Sequence, residues 1–177
     1  MPTDVVSALR EAIRTIPDFP KSGILFKDIT PILGNAELLN RAVDLLAAPY
    51  KYSGITKVVG VESRGFILAP LLAQKLNAGF VPVRKQGKLP FETHYVEYDL
   101  EYGKDIIEMH IDAVKPIDRV LIHDDLIATG GTANAVDLLV ARSGAYLVGF
   151  SFLVELLALN GRGQLRSGVQ AHAVLSV

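Results

Sequence analysis

Two periodicities alternate along this chain. Val5, Leu9, Ala12, Ile13 and Ile16 recur at helical spacing, with Thr3 or Asp4 placed to cap the helix and Pro17-Asp18-Phe19-Pro20 to break it. Residues Lys21 to Gly34 mix polar and apolar positions and read as a loop with a short strand. Asn35 is a cap for a second amphipathic helix through Leu38, Leu39, Ala42, Leu45 and Leu46, ending near Ala48. The pattern then changes. Lys57-Val58-Val59-Gly60-Val61 is a short β-branched run of the kind buried in a parallel sheet, and an apolar helix from about Phe66 to Leu76 follows it. Phe80 to Arg84 predicts a third strand. His94 to Asp99 and Ile106 to Ile111 alternate in polarity, which predicts two antiparallel strands joined by a turn over Tyr98 to Lys104. Val120-Leu121-Ile122 opens a further buried strand, with a helix from Ala133 to about Arg142 behind it. Tyr146 to Phe152 is another apolar strand, Val154 to Gly161 a short helical segment stopped by Asn-Gly, and Gly168 to Val177 an edge strand. The expectation is an α/β fold with a central, mostly parallel sheet flanked by helices.

Length and composition narrow the class. At 177 residues, half of them hydrophobic, the chain fits one domain with ample material for a core. A formal net charge of −1 gives no global argument for nucleic acid or an anionic membrane, so any anion site has to be local. There is no cysteine, which excludes disulfides, thiolate catalysis and zinc–thiolate sites. Met1 to Ile16 alternates charged with apolar residues, unlike a secretory signal, and no apolar stretch reaches membrane-spanning length. A cytoplasmic location is expected. His94, His110, His123 and His172 lack metal-ligand spacing, and His123 inside its strand reads as a core group or a support to the site. The aromatic residues do not interleave with basic ones as on a single-strand nucleic-acid platform.

The chemistry concentrates in Val120 to Thr132. An apolar run leads into Asp124-Asp125 and then Ala128-Thr129-Gly130-Gly131-Thr132, directly before a helix. Glycines let the backbone turn tightly and approach a ligand, the threonines add hydroxyl donors, and the helix start offers free N–H groups to a phosphate. No Lys-Ser/Thr pair follows the glycines and there is no GxGxxG, so neither the nucleotide P-loop nor the dinucleotide pattern applies. Two adjacent carboxylates beside a phosphate cradle suit a vicinal diol, because ionised Asp only accepts hydrogen bonds and sugar hydroxyls donate them. Glu62-Ser63-Arg64-Gly65 ends an earlier strand and should face the same crevice, since open parallel sheets bind ligands outside the carboxyl ends of their strands. Glu62 and Arg64 alternatively form a local surface ion pair. Arg84, Lys85 and Lys88 follow the third strand, and the basic, Gly-containing arm Gln86 to Lys104 reads as a lid or as an ordinary solvated hairpin.

The run Val120 to Thr132 resembles the phosphoribosyl-pyrophosphate (PRPP) motif of the type I phosphoribosyltransferases. Further matches resemble the adenine-specific branch of that family along nearly the whole chain. They are Phe19-Pro20 with Gly23 to Pro31, Glu62 to Phe66, Arg84-Lys85 with Gly87 to Pro90, Leu100 to Gly103, and Val154 to Leu156 with Gly161-Arg162. The resemblance implies a type I phosphoribosyltransferase fold over 1–177, with an N-terminal hood at about 1–34, an α/β core at about 35–177 and a flexible β-arm. It implies transfer of the 5-phosphoribosyl group of PRPP to N9 of adenine, giving AMP and pyrophosphate in purine salvage. Ala128, Thr129, Gly130, Gly131 and Thr132 would hold the 5′-phosphate, and Asp124 and Asp125 the ribose diol and the developing sugar cation. Ser63, Arg64, Arg84, Lys85 and Lys88 would hold the pyrophosphate. Leu25, Phe26 and Lys27 would read adenine with Leu156 on its other face, and Glu101 would be the acid/base group. Mg²⁺ is expected through PRPP and water, with no firm direct protein ligand. A homodimer with Arg84 near the subunit boundary is expected, with no nucleic-acid or membrane partner. The chain has Lys27 where some relatives carry Arg, and His123 where an aliphatic residue is more usual. A non-catalytic PRPP-binding regulator is the rival from another class, and xanthine or guanine as the base is the rival within it. The regulator is disfavoured because the leaving-group cations and Glu101 are retained and no DNA-binding segment is added.

Overall fold

The computed structural model describes residues 4–100 and 103–177. Helix α1 (Val5–Ala12) is capped by Asp4, whose carboxylate accepts from the Val6 N–H. The helix is shorter than its hydrophobic spacing predicts. Ile13 is already extended, and Ile16 lies in a strand, β1 (Arg14–Pro17), paired antiparallel with β2 (Leu25–Asp28). Ile16 precedes a proline, which disfavours helical backbone at that residue. Ile13, Thr15 and Ile16 are β-branched, and β2 satisfies the backbone groups that the helix would have used.

A single turn, α2 (Thr30–Leu33), leads to α3 (Ala36–Ala47). Here the predicted cap is present: the Asn35 side-chain oxygen accepts from the Glu37 and Leu38 N–H groups at 3.0 and 3.1 Å. Next come β3 (Lys57–Val61), α4 (Gly65–Lys75) and β4 (Gly79–Lys85), each within a residue or so of its sequence expectation. β5 (Thr93–Leu100) and β6 (Gly103–His110) pair antiparallel as far as Leu100 opposite Gly103. The strands therefore take up most of the expected 98–104 turn, and residues 101 and 102 lie outside the described part. β7 (Arg119–Ile127) feeds α5 (Gly131–Arg142), followed by β8 (Tyr146–Glu155) and β9 (Gln170–Ser176).

The main sheet runs β5-β6-β4-β3-β7-β8-β9. Its strands from β4 to β9 are parallel, and β6 and β5 extend it antiparallel. Successive side chains on a strand face opposite ways, and the core divides accordingly. Val58, Leu121 and Leu153 pack with Leu9 and the inner faces of α3 and α4, whereas Val59, Ile122 and Phe152 pack with Val136, Leu139 and Val140 of α5. The two layers pin each other where the sheet has no side chain: Tyr50 lies over Gly149, whose Cβ would meet the ring at 2.6 Å, and the Tyr50 hydroxyl donates to the Phe150 carbonyl at 2.6 Å. Strand β8 is longer than predicted. Val154 and Glu155 stay in the sheet, because they pair with Leu126 and Ile127 on one side and with Leu175 and Ser176 on the other. Helical backbone begins only at Leu157–Leu159, a 3₁₀ turn that Asn160 ends in the left-handed conformation, and a second such turn, Gly161–Gln164, follows. Among the described residues no helix is long and apolar enough to cross a membrane.

Fully buried His123 sits on β7 opposite Gly60 and Ser151, and neither ring nitrogen has an aligned hydrogen-bond partner. Burial pushes its pKa down to about 4, against the smaller opposing effect of the Ser151 backbone. An unfolded chain takes up that proton near 6.5. The neutral ring's contribution is therefore complete above pH 6.5 and is lost as pH falls toward 4, a change on the order of 3 kcal/mol. His123→Val should lose less stability between pH 7 and pH 4.5 than the parent in urea unfolding; parallel losses would refute the assignment. In the same assay Asn35→Ala should cost about 1 kcal/mol, and Leu46→Ala, with its fully buried side chain, about 2–5 kcal/mol.

Candidate active site

The ends of β3, β4 and β7 lie side by side, because Val61 is level with Val83 and Gly60 with His123 in the parallel register. The loop after β7 forms the floor of one cavity there. Gly130 has φ 88°, and a Cβ on it would come within 2.2 Å of the Gly161 carbonyl oxygen. The fit is reciprocal, since a Cβ on Gly161 would meet the Ala128 carbonyl at 2.3 Å. Residues 128–130 thus rest on the 3₁₀ turn Gly161–Gln164, and the ion pair of buried Glu155 with Arg162 (2.7 Å) fixes that turn. No side chain caps α5, so its first-turn N–H groups remain available to an anion. The cavity above them, of about 90 Å³, is lined by residues 126–133 with Asp124 and Phe152. Strand β5 packs against α5, with Tyr98 beside Thr132, which brings the arm against the same loop.

Asp124 and Asp125 sit inside β7, three and two residues before its end. The alternation of the strand gives them different partners. Asp124 faces the cavity, and its Oδ1 accepts from the Asp125 N–H at 2.9 Å. Burial and then the adjacent Asp125 carboxyl raise its pKa well above the ordinary carboxylate range. The buried Asp125 carboxylate forms an ion pair with Arg64, without the alignment of a hydrogen bond. The glycine that begins α4 makes room for this carboxylate, because a Cβ on Gly65 would meet Asp124 Oδ1 at 2.8 Å and the His123 carbonyl at 3.2 Å.

Arg64 ties three regions together. Beyond Asp125, its guanidinium donates to the Lys27 carbonyl at 3.3 Å and lies 4.8 Å from the centroid of the Phe26 ring. Glu62 and Arg64 therefore do not form the local pair that the sequence allowed. Glu62 turns instead to the segment after β4: it accepts from Arg84, from the Lys85 N–H at 3.1 Å and from Lys88 Nζ at 2.6 Å. Burial pushes the Glu62 pKa up, but these hydrogen bonds outweigh it and bring the value down to about 2. Lys85 pairs with Asp105 of β6 at 2.9 Å, which raises its pKa. Ser63 is exposed between Glu62 and Arg64.

The hood residues are near one another, but the expected sandwich is incomplete. Phe26 packs edge-on to Phe19 at 5.0 Å and lines an apolar cavity of about 290 Å³ with Ile16, Ile29, Leu33 and Ile67, a cavity that Leu156 does not line. Leu156 follows β8 and donates its N–H to the Ile127 carbonyl, which places it beside the loop after β7. Leu25 is exposed, and Lys27 Nζ reaches Thr15 Oγ1 at 3.0 Å. Glu101 lies outside the described residues. Glu62 as a hub, Glu155 with Arg162, and Gly161 as the seat of the loop were not evident from the sequence. The signal for Glu62 was its place at the end of one strand beside the basic end of the next.

Known proteins match this arrangement. A model of the phosphoribosyl transferase domain matches residues 33–170. The adenine phosphoribosyltransferase of Chelativorans sp. strain BNC1 is 50% identical over 177 residues, covering 99% of this chain and 98% of that relative. The crystal structure of the enzyme of that name from Rhodothermus marinus DSM 4252 superposes with a TM-score of 0.94 at 59% identity, covering 98% of both chains. The Saccharomyces cerevisiae enzyme, complexed with adenine and an imino-altritol bisphosphate, superposes with a TM-score of 0.91 at 40% identity, over 97% of this chain and 98% of that one. The architecture is the type I phosphoribosyltransferase fold. Fold, motif placement and near-complete coverage agree, and this chain belongs to the adenine phosphoribosyltransferase family.

Proposed function

We propose that the chain transfers the 5-phosphoribosyl group of PRPP to N9 of adenine, releasing pyrophosphate and forming AMP for purine salvage. The observation that carries this reading is the single crevice holding the uncapped α5 loop, the Asp124–Asp125 pair and the Arg64 loop. In this reading Ala128 to Thr132 take the 5′-phosphate on backbone N–H groups, with Thr129 and Thr132 adding hydroxyls. Asp124 and Asp125 accept from the ribose 2′- and 3′-hydroxyls. As the C1–O bond breaks, negative charge gathers on the pyrophosphate, and Ser63, Arg64, Arg84, Lys85 and Lys88 stabilise it there. The sugar becomes oxocarbenium-like, which the two carboxyls favour. N9 of adenine then bonds to C1, and Glu101 handles the purine proton. Leu25, Phe26 and Lys27 hold the base, with Leu156 closing from the phosphate-loop side. The arm at 86–104 excludes water, which would otherwise hydrolyse the sugar cation.

Among the described residues no cluster of three or more His, Asp or Glu side chains gathers to hold a metal. A hard cation carried by PRPP oxygens and water needs no such cluster, and Asp124 and Asp125 are the carboxyls that would meet its water shell. Mg²⁺ bound in that way would offset the charge of the leaving pyrophosphate. A homodimer, with Arg84 near the subunit boundary, and a cytoplasmic location complete the proposal.

The test is PRPP- and Mg²⁺-dependent release of pyrophosphate with adenine, hypoxanthine, guanine, xanthine and orotate in parallel. Turnover is expected with adenine alone, and Glu101→Ala should lower kcat by roughly 10²-fold or more. Turnover with a 6-oxopurine instead would overturn the base assignment. PRPP binding without turnover on any base would indicate a sensor.

A further inference from the structure

Glu62 stands one residue beyond β3, and its side chain is only 11% exposed. The hydrogen bonds to its carboxylate come from the neighbouring parallel strand's exit. Oε2 accepts from Arg84 Nε at 3.3 Å and from the Lys85 N–H at 3.1 Å, and Oε1 from Arg84 Nη2 at 3.2 Å and Lys88 Nζ at 2.6 Å. Arg84 Nη1 then donates to the Lys88 carbonyl at 3.1 Å and closes the ring. A second carboxylate secures the same turn, as Glu108 accepts from the Gly87 N–H at 3.0 Å. Three cations within five residues repel one another and would splay without such an anchor. The ring also leaves donors over. Arg84 has five N–H groups and Lys88 three, and Glu62 does not use them all.

We propose that Glu62 is a positioning residue of the leaving-group subsite, holding Arg84 and Lys88 in place so that their remaining donors meet pyrophosphate already ordered. This rests on the transferase reading above. Two effects of removing the carboxylate oppose each other. Losing a negative charge strengthens attraction of an anion, whereas losing the anchor means that two long side chains must be ordered at each binding event. Arg84 and Lys88 are 34% and 46% exposed, so water screens the charge effect and the ordering effect dominates.

The experiment compares Glu62→Gln and Glu62→Asp with the parent in steady-state kinetics and in pyrophosphate product inhibition, with melting curves to check the fold. Glu62→Gln keeps the shape and removes the charge. Glu62→Asp keeps the charge and withdraws it by about 1.5 Å. Both should raise the PRPP KM and the pyrophosphate inhibition constant on the order of tenfold, with the adenine KM unchanged within about twofold. If Glu62→Gln does not fold, the Glu62→Asp result decides alone. Parent-like or tighter pyrophosphate inhibition in either folded variant would overturn the proposal, as would an adenine KM that rises in parallel. A parent protein without turnover would instead remove the transferase reading, so the two failures are distinguishable.

Discussion

The charges crowded at the carboxyl edge of the sheet have to be balanced even before a ligand arrives. Parallel register places the exits of β3, β4 and β7 together, and each exit carries ionisable side chains. The protein balances them across loops rather than within them: Asp125 with Arg64, Glu62 with Arg84 and Lys88, and Asp105 with Lys85. A buried carboxylate without such a partner would protonate, as Asp124 tends to do. The pairing therefore holds the loops together and keeps cations in reserve for an anion.

The two kinds of pair differ in what a substrate would do to them. Arg64 spans Asp125, the Lys27 carbonyl and the Phe26 ring, so it joins the groups expected at the diol and at the base. A PRPP molecule would compete with it for Asp125 while offering pyrophosphate in exchange. Glu62 is not expected to meet substrate, and its bonds shape the cations without consuming all their donors. Below both lies a rigid floor, because Gly130 and Gly161 approach too closely for any side chain and Arg162 clamps the turn beneath them.

Much of this was legible in the residues. β3, β4 and β7 announced themselves as β-branched runs ending in polar loops, and Asn35 as a cap. The misreadings share one cause. Ile13 and Ile16 suit a helical face as well as a strand, and only the distant β2 decides between them. Val154 and Glu155 likewise follow β7 and β9 rather than local propensity. For Glu62 the sequence left a local pair with Arg64 open as an alternative, since spacing along the chain says nothing of a segment more than twenty residues away. The loop after β7 was easier, because its glycines, hydroxyls and acids are contiguous and report their geometry directly.

A crystal structure with Mg²⁺ and PRPP, without base, tests most directly whether the α5 loop, the Asp124–Asp125 pair and the Arg64 loop receive one PRPP molecule. The 5′-phosphate is expected on the N–H groups of residues 128–132, the ribose hydroxyls on Asp124 and Asp125, and the Arg64 guanidinium moved from Asp125 to the pyrophosphate. A 5′-phosphate bound elsewhere, or an Asp125–Arg64 pair left intact with the diol on other groups, would contradict this assignment.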